Sequence, residues 1–150
     1  MEINSLNGQI INSRDVYIHD DIFESMIFHR DKKSLHLSLA KIWPVEYKYS
    51  IDFFQVIGFE MTSCDFWGAD SRILDFEYVS NGILIPKLFS KKEYSTCLLK
   101  EQKNYIETVM TFISGDTLRV ACEQIIVEEK MLPCSSNSCF RIFALTKFPL

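Results

Sequence analysis

Two runs rich in apolar residues, separated by a charged run, predict a β-hairpin over residues 22–40. The first strand ends at His29, a polar run of charged residues forms the turn, and the second strand begins at Ser34. Leucine at every second position gives the second strand one apolar and one polar face. We expect His29 to lie opposite Ser34, because this register sets the leucines against Phe28 and Met26. A shift by one residue would set them against polar side chains.

A second hairpin is predicted over residues 105–122, with its turn at Gly115-Asp116. Glycine tolerates the positive φ that a type II′ turn requires at its first central position, so the pair fits a two-residue turn. This turn would place Ile113 opposite Leu118. Both faces of the first strand carry apolar residues, so we expect the ribbon to be covered on both sides.

Further strands favour an all-β fold, and they are predicted at residues 50–61, 72–79 and 140–148. The first of them contains Gly58, where we expect a bulge or bend. Residues 86–104 fit a short helix, a loop or an edge strand equally well. The pattern predicts one mostly β domain over residues 1–150, an antiparallel sandwich or partly open barrel with room for one short helix. The alternative is a strongly bent sheet wrapped on one helix from the 86–104 region.

Composition and charge narrow the function classes. Hydrophobic residues make up 47% of the chain and charged residues 24%, as in globular proteins, and 150 residues suffice for one core. The net charge of −4 does not favour binding to phosphate backbones or anionic lipid, so we expect no nucleic-acid and no membrane partner. The amino terminus lacks a basic segment followed by an apolar run, which favours a cytoplasmic protein.

The cysteines do not indicate a disulfide framework or a metal site. There are five, an odd number, and most lie in apolar sequence where a thiol acts as a small hydrophobic group. Cys134 and Cys139 are close enough in sequence to bridge or to supply half of a metal site, but no second cysteine pair completes four ligands. We expect no metal and no cofactor.

Two groups of polar residues near the first hairpin are candidates for chemistry. His19 precedes Asp20, and a carboxylate can orient an imidazole as a general base. Adjacent strand residues point to opposite faces, which favours a structural role instead. His29 and His36 would be diagonal neighbours on the polar face of the hairpin. Without a third ligand nearby in sequence, we expect this face to be solvated.

The most distinctive segment contains Trp67, Gly68, Asp70 and Arg72. A large flat side chain beside a glycine allows a tight turn under the indole, and Asp70 can cap the amides of that turn. Arg72 can reach Asp70 or the Trp67 ring. We predict a structural corner here, and the alternative is an exposed aromatic anchor for a partner.

Sequence motifs for catalysis are absent. The chain has no nucleophile elbow and no glycine-rich phosphate loop, and it holds five glycines in total. We predict no catalytic residue. A hydrolase ranks third among the functions considered, behind two kinds of binding protein.

The succession of His19-Asp20, Phe66-Trp67-Gly68, Arg72-Ile73-Leu74-Asp75 and the segment 114–118 resembles a group of small bacterial all-β proteins of mostly uncharacterised function. Some members of that group look like immunity proteins of polymorphic toxin systems. The resemblance spans roughly residues 19–129 and implies an all-β fold and a neutralising contact with a toxin-like protein. The leading expectation is therefore a non-enzymatic protein-binding domain. The alternative is a small-ligand-binding β-barrel, which would have an open apolar interior.

Overall fold

The structure is a computed structural model that describes residues 1–12, 18–41, 47–62, 71–91 and 101–131. These ranges hold nine strands, a seven-residue helix and two short 3-10 helices at Gly8–Asn12 and Gln102–Asn104. The strands and the helix are β1 (Glu2–Asn4), β2 (Ile22–His29), β3 (Ser34–Ala40), β4 (Tyr47–Phe54), β5 (Gly58–Met61), β6 (Ile73–Tyr78), α1 (Leu84–Ser90), β7 (Ile106–Phe112), β8 (Thr117–Cys122) and β9 (Gln124–Met131).

The strands form two antiparallel sheets that share a corner. Sheet A has the order β1-β9-β4-β3-β2, and sheet B has the order β5-β8-β7-β6. At the corner β4 continues into β5 and β8 into β9, so both pairs pass from one sheet to the other. Such bends form the corners of packed sheets. The predicted antiparallel sandwich is confirmed, and the described strands do not close into a barrel.

The predicted strand over residues 50–61 is two strands in different sheets. The break covers residues 55–57, where Gln55 has the left-handed φ of 51°, and the Glu123 N–H donates to the Phe54 carbonyl across the corner at 3.1 Å. Gly58 follows the break directly. A Cβ there would lie 2.6 Å from a Leu88 methyl, so glycine lets α1 pack closely on β5.

The first hairpin has the predicted register. His29 lies opposite Ser34, and Leu35 lies opposite Phe28. The alternating leucines of β3 are fully buried between the two sheets. They pack in one cluster with residues from both sheets: Ile51, Phe53, Met110, Phe112, Leu118, Val120, Ile125 and Val127. The core between the sheets is therefore filled with side chains.

The predicted register of the second hairpin is wrong by three residues. Leu118 lies opposite Met110, not opposite Ile113. The Gly115 N–H donates to the Phe112 carbonyl and the Phe112 N–H to the Asp116 carbonyl, each at 2.9 Å, which makes a three-residue loop. Gly115 has a φ of 88° and takes the last position of that loop, the usual place of a left-handed residue in three-residue hairpins. The prediction that this ribbon is covered on both faces is confirmed.

The region left open in the sequence begins with α1, which starts at Leu84 and ends at Ser90. Leu84 and Leu88 pack with Ala121 in a small cluster beside the main core. Cys122 is a buried free thiol, and burial raises its pKa. The predicted closing strand at 140–148 and the other four cysteines lie outside the described residues. Among the described helices, none has the length and apolar character needed to cross a membrane.

Candidate functional site

The start of β2 joins sheet A to sheet B through a short backbone ladder. The Asp20 N–H donates to the Ile73 carbonyl at 2.8 Å, and the Ile73 N–H donates to the Asp21 carbonyl at 2.9 Å. One step further, the Phe23 N–H donates to the Ser71 carbonyl at 3.1 Å. These bonds bring the segment that carries His19 and Asp20 beside the segment that carries Arg72.

Three sequence-predicted residues meet at this junction. The Asp20 carboxylate lies 3.6 Å from His19 Nε2 and 3.8 Å from Arg72 Nη1. His19 Nδ1 donates to the Leu74 carbonyl at 2.5 Å, which fixes the orientation of the imidazole. The three polar side chains are between 38% and 49% exposed. Side-chain contacts this exposed contribute about 0–1 kcal/mol to folding, so these contacts add little to stability.

Large apolar residues lie next to these charges. Ile22, Leu74 and Ile113 are all exposed, and Ile22 forms an isolated bridge with Arg72. The Ile113 N–H donates to the Arg72 carbonyl at 2.9 Å, so the turn of the second hairpin also reaches the junction. We name the following residues the junction surface: His19, Asp20, Ile22, Arg72, Leu74 and Ile113.

Asp21 is the buried carboxyl of this region. It is 5% exposed, and its Oδ2 has no hydrogen-bond partner among the described residues. Burial raises the pKa of Asp21 to about 6, against the opposing effect of the Lys41 charge. The Lys41 ammonium is itself bonded to Glu129 at 2.7 Å and lies 4.3 Å from the centre of the Tyr49 ring. Asp21 is therefore a buried carboxyl with a raised pKa and without an ion pair of its own in the described structure.

The polar face of the first hairpin contains a histidine–carboxyl hydrogen bond that the sequence analysis did not find. His29 and His36 share this face as predicted, and His36 Nδ1 lies 2.6 Å from Asp52 Oδ1 on the neighbouring strand β4. Ser38, the next residue on the face, directs its hydroxyl to Glu24 at 3.3 Å. The contact between His36 and Asp52 thus satisfies two half-buried polar groups. Ser38 bonds to Glu24 and not to His36.

Glu107 is a buried carboxylate that holds the start of α1. Its side chain is 0% exposed and accepts the backbone N–H groups of Ile83, Leu84 and Ile85 at 2.9–3.1 Å. Arg119 Nη1 lies 3.4 Å from the same carboxylate. The sequence analysis did not single out Glu107. Its position in the sequence could have identified it, because a charged residue inside a strand covered on both faces needs buried partners.

A cavity of about 560 Å³ opens beside α1 at the end of sheet B, next to Glu107. Its lining includes Tyr78, Asn81, Gln102 and Tyr105. The volume falls in the range of small-ligand sites. It lies outside the filled core, so the described strands lack the open interior that a ligand-binding barrel would have.

The predicted corner is described only at Arg72. Trp67, Gly68 and Asp70 lie outside the described residues, so their structural role stays a prediction. Arg72 contacts Asp20, a partner that the sequence analysis did not consider. Within the described ranges, no group of three histidine, cysteine or carboxylate side chains is placed to hold a metal ion.

No family model and no curated protein matches the chain. A solved structure that matches this chain is the crystal structure of an uncharacterized protein from Neisseria gonorrhoeae. It shares 16% sequence identity, and the alignment covers 85% of this chain and 97% of that chain with a TM-score of 0.49. This similarity carries no functional argument.

Proposed function

We propose that this chain is a non-enzymatic protein-binding domain that contacts its partner through the junction surface. The observation that carries the proposal is the placement of Arg72, with its Asp20 contact, beside three exposed apolar side chains. Arginine is among the residues that most often dominate binding energy, and apolar neighbours exclude water from such contacts.

The junction surface is also pre-organised. Backbone hydrogen bonds from Asp20, Phe23, Ile73 and Ile113 hold its segments at fixed positions between two sheets. A surface that is ordered before binding loses less conformational entropy when the complex forms. This favours tight contact with a protein. The buried Cys122 thiol, whose pKa is raised, is a poor nucleophile.

The proposed partner is a basic, toxin-like protein, and the proposed role is its neutralisation in the cytoplasm of a bacterium. The net charge of −4 favours a partner of opposite charge, because complementary fields speed encounter and fix orientation. The resemblance of the segment 19–129 to immunity-like proteins supports the same role. A reduced, buried Cys122 fits a cytoplasmic location.

The test is binding between this chain and the product of the adjacent gene. The chain and that product should co-purify, and Arg72→Glu should weaken binding by about 30-fold or more, as for a hot-spot residue worth 2 kcal/mol. Lys130→Glu is the matched control, since it makes the same charge change at an exposed position of β9. Both variants should melt within a few degrees of the wild type.

Two results would overturn this proposal. One is the absence of any interaction with the adjacent gene product. The other is equal affinity of the Arg72→Glu and Lys130→Glu variants for the partner. In that case net charge alone, and not the junction surface, would explain the weaker binding.

A small neutral ligand is the second candidate, favoured by the cavity beside α1. The cavity is lined by Tyr78, Tyr105, Asn81 and Gln102, which are residue types that can contact and hydrogen-bond a hydroxyl-rich ring compound such as a sugar. The Glu107 carboxylate is occupied by backbone N–H groups and adds no free charge. Saturation-transfer NMR with glucose should give a signal that Asn81→Leu removes. No signal with the wild-type chain contradicts this candidate.

A further inference from the structure

Asp21 is the last residue before β2, and its backbone belongs to the ladder that joins β2 to β6. Its carbonyl accepts the Ile73 N–H at 2.9 Å, and its own N–H donates to the Ile18 carbonyl at 3.2 Å. The bonds that Asp20 and Phe23 donate across the junction lie on either side of it. Because the buried carboxyl and these bonds are so close in the chain, exposure of the carboxyl to water disturbs the ladder.

The Asp21 carboxyl is buried without compensation. The residue is 5% exposed, and its Oδ2 has no hydrogen-bond partner among the described residues. His19 and Arg72 lie against the neighbouring Asp20 carboxylate instead. A carboxylate that is buried without hydrogen bonds or a counter-ion is much less stable than the neutral acid in the same place. The closed junction therefore favours protonated Asp21, and ionised Asp21 favours contact with water.

The charged groups of sheet A near Asp21 are engaged with each other. Lys41 directly follows β3, and its ammonium is bonded to Glu129 of β9 at 2.7 Å. The same ammonium lies 4.3 Å from the centre of the Tyr49 ring on β4. Burial raises the pKa of Asp21 to about 6, the Lys41 charge opposes this shift, and the charges of Glu129 and Asp20 add to it.

We propose that ionisation of Asp21 opens the junction between β2 and β6 locally, as a pH-sensitive switch. When Asp21 is protonated, it stays buried and the backbone bonds of Asp20, Phe23 and Ile73 persist. When it is ionised, it gains hydration as these bonds break. The core around the leucines of β3 remains packed, as in the local openings that folded proteins undergo.

The size of the effect follows from the pKa of Asp21 in the two forms. In the closed form the pKa is about 6, and in the open form contact with water returns it to about 3.9. The open form therefore releases the proton more easily, so the opening equilibrium increases with pH. Linkage between these two values gives an increase of about tenfold from pH 5 to pH 8.

The inference concerns the free chain and goes beyond the proposed function. A partner that binds only the closed junction surface would suppress the opening, which is how the switch bears on recognition. The test below uses no partner. Failure to find a partner would therefore leave the switch standing, and failure of the switch would leave the proposed binding standing.

Hydrogen exchange of the full chain, followed by NMR at single amides between pH 5 and pH 8, tests the switch. After correction for the intrinsic exchange rate, the protection of the Ile73 amide should fall about tenfold over this range. The Val79 amide is the internal reference, because it bonds to the Glu107 carbonyl directly after the other end of β6, and its protection should stay constant. Exchange of the Ile73 amide should also be insensitive to low urea, since a local opening exposes little surface.

Three results would overturn the switch. The first is unchanged protection of the Ile73 amide between pH 5 and pH 8. The second is an equal fall at the Val79 amide, which would show that the whole fold responds to pH. The third is exchange of the Ile73 amide that accelerates steeply in low urea, because global unfolding would then account for it.

The Asp21→Asn variant removes the ionisable group, so the protection of the Ile73 amide should lose its pH dependence. Asp31→Asn is the matched control, because Asp31 is an exposed carboxyl in the turn of the first hairpin, and it should behave like the wild type. A tenfold fall in protection that persists in Asp21→Asn assigns the pH dependence to another group and rejects the proposal.

A second variant changes the surroundings of Asp21 and keeps its carboxyl. Glu129→Gln removes a negative charge and frees the Lys41 ammonium, and both changes favour ionised Asp21 in the closed form. The fall in protection of the Ile73 amide should therefore become smaller than tenfold. Glu128→Gln is the matched control, since adjacent strand residues point to opposite faces and Glu128 contacts Lys130. Equal pH dependence in the two variants contradicts the proposed switch.

Discussion

Replacement of Glu107 by alanine should destabilise the protein severely. The carboxylate is fully buried and bonds to three backbone N–H groups at the start of α1, and Arg119 lies within 3.4 Å. Removing one partner of a buried charged network costs about 3–5 kcal/mol. For a chain of this length, about 3 °C of melting temperature is lost per kcal/mol, so the melting temperature should fall by about 10–15 °C.

The assay is thermal and urea unfolding combined with hydrogen exchange of single amides. The amides of Ile83, Leu84 and Ile85 should exchange faster in Glu107→Ala, because they lose their acceptor. Glu101→Ala is the control, since Glu101 is an exposed carboxylate that contacts only Lys103 in the described structure, and its loss should cost less than about 0.5 kcal/mol. A Glu107→Ala melting temperature within 2–3 °C of the wild type, or unchanged exchange at these amides, would refute the assigned role.

Three further predictions concern Gly82, Asp21 and Trp67. Gly82→Ala should lower stability by about 1–3 kcal/mol in urea unfolding, because its Cβ would lie 2.1 Å from the Glu107 carboxylate; stability equal to the wild type would show that the carboxylate moves freely. The pKa of Asp21 is higher in the folded than in the unfolded chain, so the folded state binds more protons and stability should fall as pH rises from about 4 to 6. Asp21→Asn should remove this pH dependence of stability and stabilise the protein at pH 7 by up to about 3 kcal/mol. An unchanged pH dependence would contradict the raised pKa of Asp21. Trp67→Ala should cost about 3–5 kcal/mol if the ring fills the predicted corner, whereas an unchanged melting temperature with lost partner binding would identify an exposed anchor.

The two hairpins show why one register could be predicted and the other could not. In the first, only one face is apolar, so a shift by one residue would expose the leucines of β3 and burial selects a single register. In the second, β7 is buried on both faces, so burial does not distinguish one register from another. Gly115 correctly indicated a positive φ, but two-residue and three-residue loops both accept it. The loop type therefore had to come from the folded structure.

In the candidate site, too, some features could be predicted from the sequence and others could not. Local sequence singled out His19, Asp20 and Arg72 as unusual residues, since their charge and motif context are properties of the chain itself. Their meeting depends on backbone hydrogen bonds such as that between Asp20 and Ile73, which are distant in sequence and cannot be derived from periodicity. The same holds for the contact of His36 with Asp52 across β3 and β4.

The sequence by itself determined the β class, the first hairpin and the polar face that carries His29 and His36, because side-chain alternation has a period of two and acts over neighbouring residues. Only the tertiary structure decided that the segment around Gln55 changes sheets and that Glu107 caps α1. These features depend on the packing of one sheet against the other, where burial and hydrogen-bond satisfaction are settled for the whole core at once.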